Sequence, residues 1–412
     1  MIHLRVHIHV KDSQKGSTSQ EKISFVKKNR APNEKDIFTY LHVLRDETEV
    51  TEKIKQLSRL SSLTKQDLNN RNAILRRVLK CLQPYYPNCQ VFMYGSSNNG
   101  FGTQGCDMDI LFLPTPDYCR VGGEEDEEKP PTLSQVKNGE FPIIDLEKMG
   151  EKAQLLFISK IFKKHFGHTI FIPARCPILN FMGVKGRQAN ICCDLTCRNK
   201  LVVCNTELLK FFGSLDSRVI PLVITLRWWA KSLRLIKEAA LSSYAFTLMI
   251  IFFLQNSRPS VLPNVNDLMD LSESSTYVAG WPVSFRQDKG SIPETANQDT
   301  EEQLLEKFFE FYWNFEFERY AVCVRTGKPL LLEDLKTGSN VGFQITHISI
   351  QDPFNLSHNV GKNLKYAFSL KPALFVAKDI LTIVSVRVSK VGLECQTFKK
   401  GETGRYERMD FS

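Results

Sequence analysis

The sequence has no apolar run long enough to cross a bilayer. Its most apolar stretch, Tyr244–Leu254, is about half the length of a spanning helix, so it is expected to be buried inside a folded domain and membrane insertion is excluded. No Cys-x-x-Cys pair occurs among the eleven cysteines, which argues against both a zinc knuckle and a disulfide framework. Cys192, Cys193 and Cys197 lie close together but read as small packing residues in a reducing compartment. The opening MIHLRVHIHV has neither a secretory apolar core nor the Arg- and Ser-rich character of a transit peptide. Also missing are an RNA-recognition motif, a basic arm, and a Gly-Lys-Ser/Thr step after the Gly-rich loop near residue 100, so that loop is not a P-loop.

What is present suits a soluble protein of two or three domains: 412 residues, 42% apolar and 24% charged. The net charge of +9 modestly favours a polyanionic partner. Residues 1–50 alternate at Leu4, Val6, Ile8 and Val10 and read as an accessory segment. Two helical stretches follow to Gln83, broken at Ser62 and Thr64 and ended by Pro84. Residues 114–142 hold Pro130-Pro131 and the acidic run Glu124–Glu128, and read as a solvated loop insertion. A helix over Leu146–Phe166 resumes, with His165 and His168 as surface or capping residues, and three short strand candidates end at Ala189–Leu195. Beyond Asn199 the chain is expected to be mostly helical, with aromatics of Glu301–Phe317 in the core.

The chemistry concentrates in Val91–Leu113, VFMYGSSNNGFGTQGCDMDILFL. Asp107 and Asp109 fall on one face of a strand whose Met108 and Ile110 point into the core. Side-by-side carboxylates resist burial unless a positive charge sits between them, and a hard divalent cation, Mg²⁺ or Mn²⁺, is the simplest one. Alone, an Asp-x-Asp pair is more often a solvated strand end. The upstream Gly95, Ser96 and Ser97 add close backbone approach and hydroxyls suited to a phosphate. Asp194 is a carboxylate inside an otherwise apolar strand and requires a partner.

This stretch resembles the Gly-Ser … Asp-x-Asp signature of the DNA polymerase β-like nucleotidyltransferases. The fuller string GSSNNGFGTQGCDMD is similar to their template-independent RNA branch, the poly(A) and terminal uridylyl transferases. The resemblance runs from about Gln56 to Leu370 and is greatest to the mitochondrial poly(A) polymerase type, through ARCPILNF, ELLKFFGSLDSRV and MIIFFLQ. It implies an α+β fold, with a palm over 51–200, a helical central domain over 201–372 and a divergent tail over 373–412. It also implies that Asp107, Asp109 and Asp194 are catalytic and hold Mg²⁺ or Mn²⁺. Lys231 would hold the triphosphate, with Arg227 standing where some relatives have a second lysine. Ser243 would offer a phosphate hydroxyl, Tyr244 would stack on the base, and Asn205 (Asn199 less strongly) would contact the ribose. Asp352, His358 and Asn359 fall in the loop that recognises the nucleotide base.

The implied reaction is addition of AMP from ATP to an RNA 3′ end. His358 stands where uridylyl transferases carry a histidine, which makes UTP the alternative nucleotide. A catalytically inactive RNA-binding scaffold, and a transferase acting on a small molecule or protein, are the readings from other classes. Resemblance alone points to mitochondria, with the cytoplasm as the alternative, and allows a homodimer through the N-terminal segment.

Overall fold

The computed structural model describes residues 49–115, 149–174, 176–183, 190–232, 235–236, 241–273, 275–336, 342–363, 398–400 and 406–408. The expectations for residues 1–48, for most of the acidic insertion and for 364–397 lie outside these residues. The chain divides into Met1–Thr48 and Glu49–Ser412, close to the boundary read from sequence, and the second unit holds everything below.

Helix α1 (Val50–Ser61) and helix α2 (Lys65–Leu82) form where the periodicity places them. The break is set by Thr64. Its hydroxyl accepts from the Asp67 amide while the Asp67 carboxylate returns to the Thr64 amide, a reciprocal cap on two orphan donors. Strands β1 (Gln90–Tyr94), β2 (Met108–Leu113), β3 (Thr169–Ile172), β4 (Ile178–Met182) and β5 (Cys192–Cys197) form one sheet in the order β1-β2-β5-β4-β3. Only β2 and β5 run parallel. Such a pair needs a crossover, and helix α3 (Glu151–His165) lies within it. The expected strand through Asp107 begins one residue later, at Met108, and that expected over Ala189–Leu195 is shifted to Cys192–Cys197.

One face of the sheet meets α2 and α3. Met108, Ile110, Phe112, Leu179, Phe181, Cys193 and Leu195 from the strands join Ile74, Val78, Leu82, Phe157, Ile158 and Phe162 in a single buried cluster. Alternation along a strand then turns Asp109, Asn180 and Asp194 to the opposite face. Cys193 and Cys197 are buried and free, as packing residues should be.

The second core is helical. It gathers α4 (Leu201–Leu215), α5 (Val219–Ser232), α6 (Ser243–Asn256) and α8 (Glu301–Asn314). Every residue of α6 from Ala245 to Leu254 is buried, which explains why its sequence shows no polar stripe. The aromatics of the 301–317 stretch are core as expected: Phe308 and Tyr312 are fully buried and Phe315 and Phe317 close over them, although α8 itself ends at Asn314. Helix α1, read as one of the helices leading the palm, packs on α5 and α8 and joins the helical core through Ile54. Smaller elements complete the described chain. These are α7 (Val265–Asp270), the hairpin β6–β7 (Tyr277–Val278, Trp281–Pro282) and strands β8 (Tyr320–Cys323), β9 (Leu330–Leu331) and β10 (Ile350–Gln351). In the expected tail, β11 (Phe398–Lys400) pairs antiparallel with β12 (Tyr406–Arg408).

Candidate active site

The site forms at the open end of β2 and β5. In their parallel register Asp109 stands directly beside Asp194, and Asp107 precedes Asp109 by one full pleat on the same face. All three are half-buried. Asn180, opposite Asp194 on β4, donates its amide to Asp194 Oδ1 at 2.6 Å and fixes that carboxylate's orientation. Tyr94 is opposite Asp109 on β1; burial, then the negative charges of Asp109 and Asp194, push its hydroxyl pKa well up.

The Gly-Ser turn approaches these acids more closely than its sequence implied. Gly95 has φ +68°, and a Cβ there would stand 2.6 Å from Asp109 Oδ2, so only glycine fits. The Gly95 amide donates to Thr206 Oγ1 at 2.8 Å, which docks the turn onto α4. Ser97 is 2% exposed; its hydroxyl accepts from Arg71 Nε at 3.2 Å and donates to the Asp107 carbonyl at 3.3 Å. Ser96 is half-buried, and its one hydrogen bond is a long 3.6 Å contact to Cys106 Sγ, so it is the turn's better hydroxyl for a ligand.

Sequence reasoning missed Arg71, Asn180 and Thr206. Arg71 is also 2% exposed, and besides Ser97 it donates to the Cys106 carbonyl at 2.7 Å. It thereby ties the Gly-Ser turn to the segment before Asp107. The signal was present: Arg71 interrupts the stripe that continues through Ile74 and Val78, where a cation needs a structural reason. Asn180 likewise lies between Leu179 and Phe181 in a short apolar strand.

The helical half faces the acids with cations. Arg227 on α5 is 8% exposed, donates to the Phe101 carbonyl at 3.0 Å, and leaves its Nε buried without a partner. Burial pushes its pKa down, the mark of a cation short of compensation. Lys231, one turn on, is exposed, and desolvation together with Arg227 holds its ammonium below the usual lysine range. Ser242 caps α6, accepting from the Ala245 amide, which leaves Ser243 at the first helical position.

In the loop after β10 the fold itself engages two of the residues read as base-recognising. Asp352 is 3% exposed; Oδ1 accepts from the Phe354 and Asn355 amides, and Oδ2 from Asn205 Nδ2 at 3.0 Å and the Tyr244 hydroxyl at 3.1 Å. It therefore holds Asn205 and Tyr244 in place and has no edge to present to a base. Burial raises its pKa, opposed by the loop amides and by nearby His358. Asn359 is 2% exposed, accepts from the Ile350 and Gly361 amides and donates to the Gln344 carbonyl, so its amide shapes the loop from within. His358 and the Tyr244 ring are half-buried and remain at the surface of this wall.

Three carboxylates in this register suit a hard divalent cation. Such an ion takes only oxygen donors, and Mg²⁺ typically binds through one or two carboxylates while substrate phosphates and water complete its shell. Among the described residues no three His, Cys, Asp or Glu side chains are placed to hold a metal ion by themselves. The donor set fits an ion shared with a substrate better than a resident structural ion.

A mixed sheet with three acids on one face, a glycine turn pressed against them and a helical layer carrying the buried Arg227 and the exposed Lys231 match the polymerase β-like nucleotidyltransferase fold. Residues 50–214 match the family described as "Poly(A) RNA polymerase, mitochondrial-like, central palm domain", and residues 303–358 match "Cid1 family poly A polymerase". The chain belongs to the poly(A) and terminal uridylyl transferase branch of these nucleotidyltransferases. It is 29% identical to the mitochondrial poly(A) RNA polymerase of Mus musculus, over 84% of this chain and 57% of that protein. Against the Homo sapiens enzyme of the same name the identity is 30%, over 76% and 52%. The speckle targeted PIP5K1A-regulated poly(A) polymerase of Danio rerio matches at 30%, over 76% and 43%. The chain thus spans about half the length of the curated relatives it matches. Among solved structures, mtPAP in complex with ATPgammaS superposes with a TM-score of 0.67 at 24% identity, over 88% of this chain and 71% of that one. The Cid1 poly(U) polymerase superposes at 0.64 and 24%, over 81% and 94%.

Proposed function

We propose that this chain is a template-independent RNA nucleotidyltransferase that adds AMP from ATP to an RNA 3′ end. The observation that carries the reading is the register of Asp109 beside Asp194, two acids from distant parts of the chain on adjacent parallel strands inside the sheet. Like charges so placed repel unless a function requires them there.

In this reading Arg227, Lys231 and the Ser96 hydroxyl hold the triphosphate, and the unpaired Nε of Arg227 gains the anion it lacks. The Tyr244 ring stacks on the base while its hydroxyl stays anchored on Asp352. Asp194, oriented by Asn180, aligns the RNA 3′-hydroxyl and takes up its proton. The new bond joins the 3′-oxygen to the α-phosphorus, and the bond from that phosphorus to the pyrophosphate oxygen breaks. Mg²⁺ or Mn²⁺ held by Asp107, Asp109 and Asp194 would supply positive charge to the triphosphate and to the departing pyrophosphate.

One observation favours UTP as the second reading: His358 stands half-buried at the rim, close enough for its charge to lower the Asp352 pKa. The mitochondrial poly(A) RNA polymerases among the relatives weigh toward ATP, and they also support a mitochondrial location. Retention of all three acids argues against an inactive scaffold.

Purified protein, an RNA primer and each nucleotide triphosphate in turn provide the test, run beside Asp107→Ala. An A tail that disappears in the variant is expected. Exclusive U addition replaces ATP by UTP, and no RNA-primed incorporation of any nucleotide overturns the reading.

A further inference from the structure

The sheet half has a second charged surface that the chemistry above does not use. Helices α2 and α3 meet at their C-terminal ends, where Arg77 donates to the His165 carbonyl and lies over the Phe166 ring at 4.7 Å. Around this junction Arg76, Arg77, Lys80, Lys163, Lys164 and His165 are all exposed. Among the described residues of 68–115 and 149–197, the only acidic side chains are the three of the site and the buried Glu151. Arg76, Lys80, Lys163 and Lys164 form no ion pair among the described residues.

The bland explanation is a solvated surface with cations favoured at helix C-termini. It accounts for the last-turn residues Lys80, Lys163, Lys164 and His165. Arg76 lies before that turn, and the dipole gives no reason for the lack of acids among the described residues of α2 and α3 beyond Asp67 and Glu151. Uncompensated cations repel one another, and a polyanion relieves that repulsion while releasing its own counterions. None of the exposed large hydrophobic residues lies on α2 or α3, so the apolar anchors that a protein partner or a membrane would use are missing. The face lies across the sheet from the acids and reaches the site around the Gly-Ser loop. Arg71 on α2 touches the site loop, and Arg76 and Lys80 follow five and nine residues later, ~8 and ~14 Å along the helix axis.

We propose that the α2–α3 face is a track for the sugar-phosphate backbone of RNA upstream of its 3′ end. The proposal rests on the reading of the site as an RNA nucleotidyltransferase, and it is tested by measurements that separate the two. The full chain is compared with a variant carrying Arg76→Ala, Lys80→Ala, Lys163→Ala and Lys164→Ala, all surface changes. Fluorescence anisotropy with a long oligo(A) RNA across a salt series reads binding. Primer extension with a long primer, and with one too short to reach the patch, reads function. The variant is expected to bind long RNA about tenfold more weakly, with a salt slope smaller by two to three units at roughly 0.7 per phosphate lost. Its KM for ATP and its short-primer rate should be unchanged. An unchanged affinity and slope, an equal loss on both primers, or a change confined to oligomeric state overturns the track. Wild-type protein that extends no RNA overturns the enzymatic reading instead, while the anisotropy arm still judges the track.

Discussion

In the sheet half each short strand has two unlike faces. Met108, Ile110 and Cys193 press on α2 and α3, while their neighbours Asp109 and Asp194 stand half-buried on the other side. In the helical half α6 is buried all round, and its neighbours contribute rings that meet edge to face, Phe253 on Phe308 and Phe308 on Tyr312 among them. One half places carboxylates where burial disfavours them, and the other buries apolar surface with few polar interruptions. The comparison teaches that stability and chemistry are separated in space. The helical core makes a rigid wall, and against it the sheet half carries the repulsion of its acids.

The comparison breaks most sharply if a site residue proves to be structural. Asp194→Asn should lower nucleotide incorporation by about 10³-fold or more, the several kcal/mol that charge stabilisation at such a centre supplies. Its melting temperature should stay at or above that of wild type, because one repelling charge is gone. A large fall in melting temperature would contradict the division of labour. The converse change is Phe308→Ala in the helical core, where the ring is fully buried and meets four other aromatic rings. With Phe246, Phe253, Phe309 and Tyr312 as those neighbours, the change should cost about 3–5 kcal/mol in denaturant unfolding.

Gly95→Ala tests the point where the halves meet, since the turn is docked on α4 through Thr206. Positive φ and the clash with Asp109 predict a loss of about 1–2 kcal/mol and a fall in rate near 10²-fold. Equal activity would mean that Asp109 can move away without consequence. The smallest effect concerns a partly buried ion pair of the helical half. Arg218 meets Asp216 Oδ2 at 2.7 Å and also reaches the Asp299 carbonyl and Asn297 Oδ1. Burial raises the Asp216 pKa, but the Arg218 hydrogen bonds outweigh it and hold that carboxyl below its usual value. A depressed carboxylate stabilises the fold above its unfolded pKa of about 4, and that contribution is lost as pH falls through the lower folded value. Arg218→Ala should therefore cost on the order of 2 kcal/mol at neutral pH, and the deficit should shrink below about pH 4 in acid-unfolding curves.

Much of this was legible in one dimension because it depends on local rules. The helix break at Thr64 follows from a capping box, the burial of α6 from an apolar run too short for a membrane, and the shared face of Asp107 and Asp109 from a strand's period of two. Local patterning also marked Asp194 as a carboxylate in need of partners.

Register and burial are another matter, because they come from residues far apart in the chain. No local pattern pairs Asp109 with Asp194 across 85 residues, aims the Asn180 amide at Asp194, or sends Arg71 from a helix into the Gly-Ser turn. Nor does it show that Asp352 binds Asn205 and Tyr244 while Asn359 bonds within its own loop, or that α1 packs on the helical core. The residue types and their order fixed which chemistry was available. Tertiary packing decided which polar atoms were used up by the fold and which were left at the surface to act, since a buried donor or acceptor must find its partner wherever the folded chain brings one.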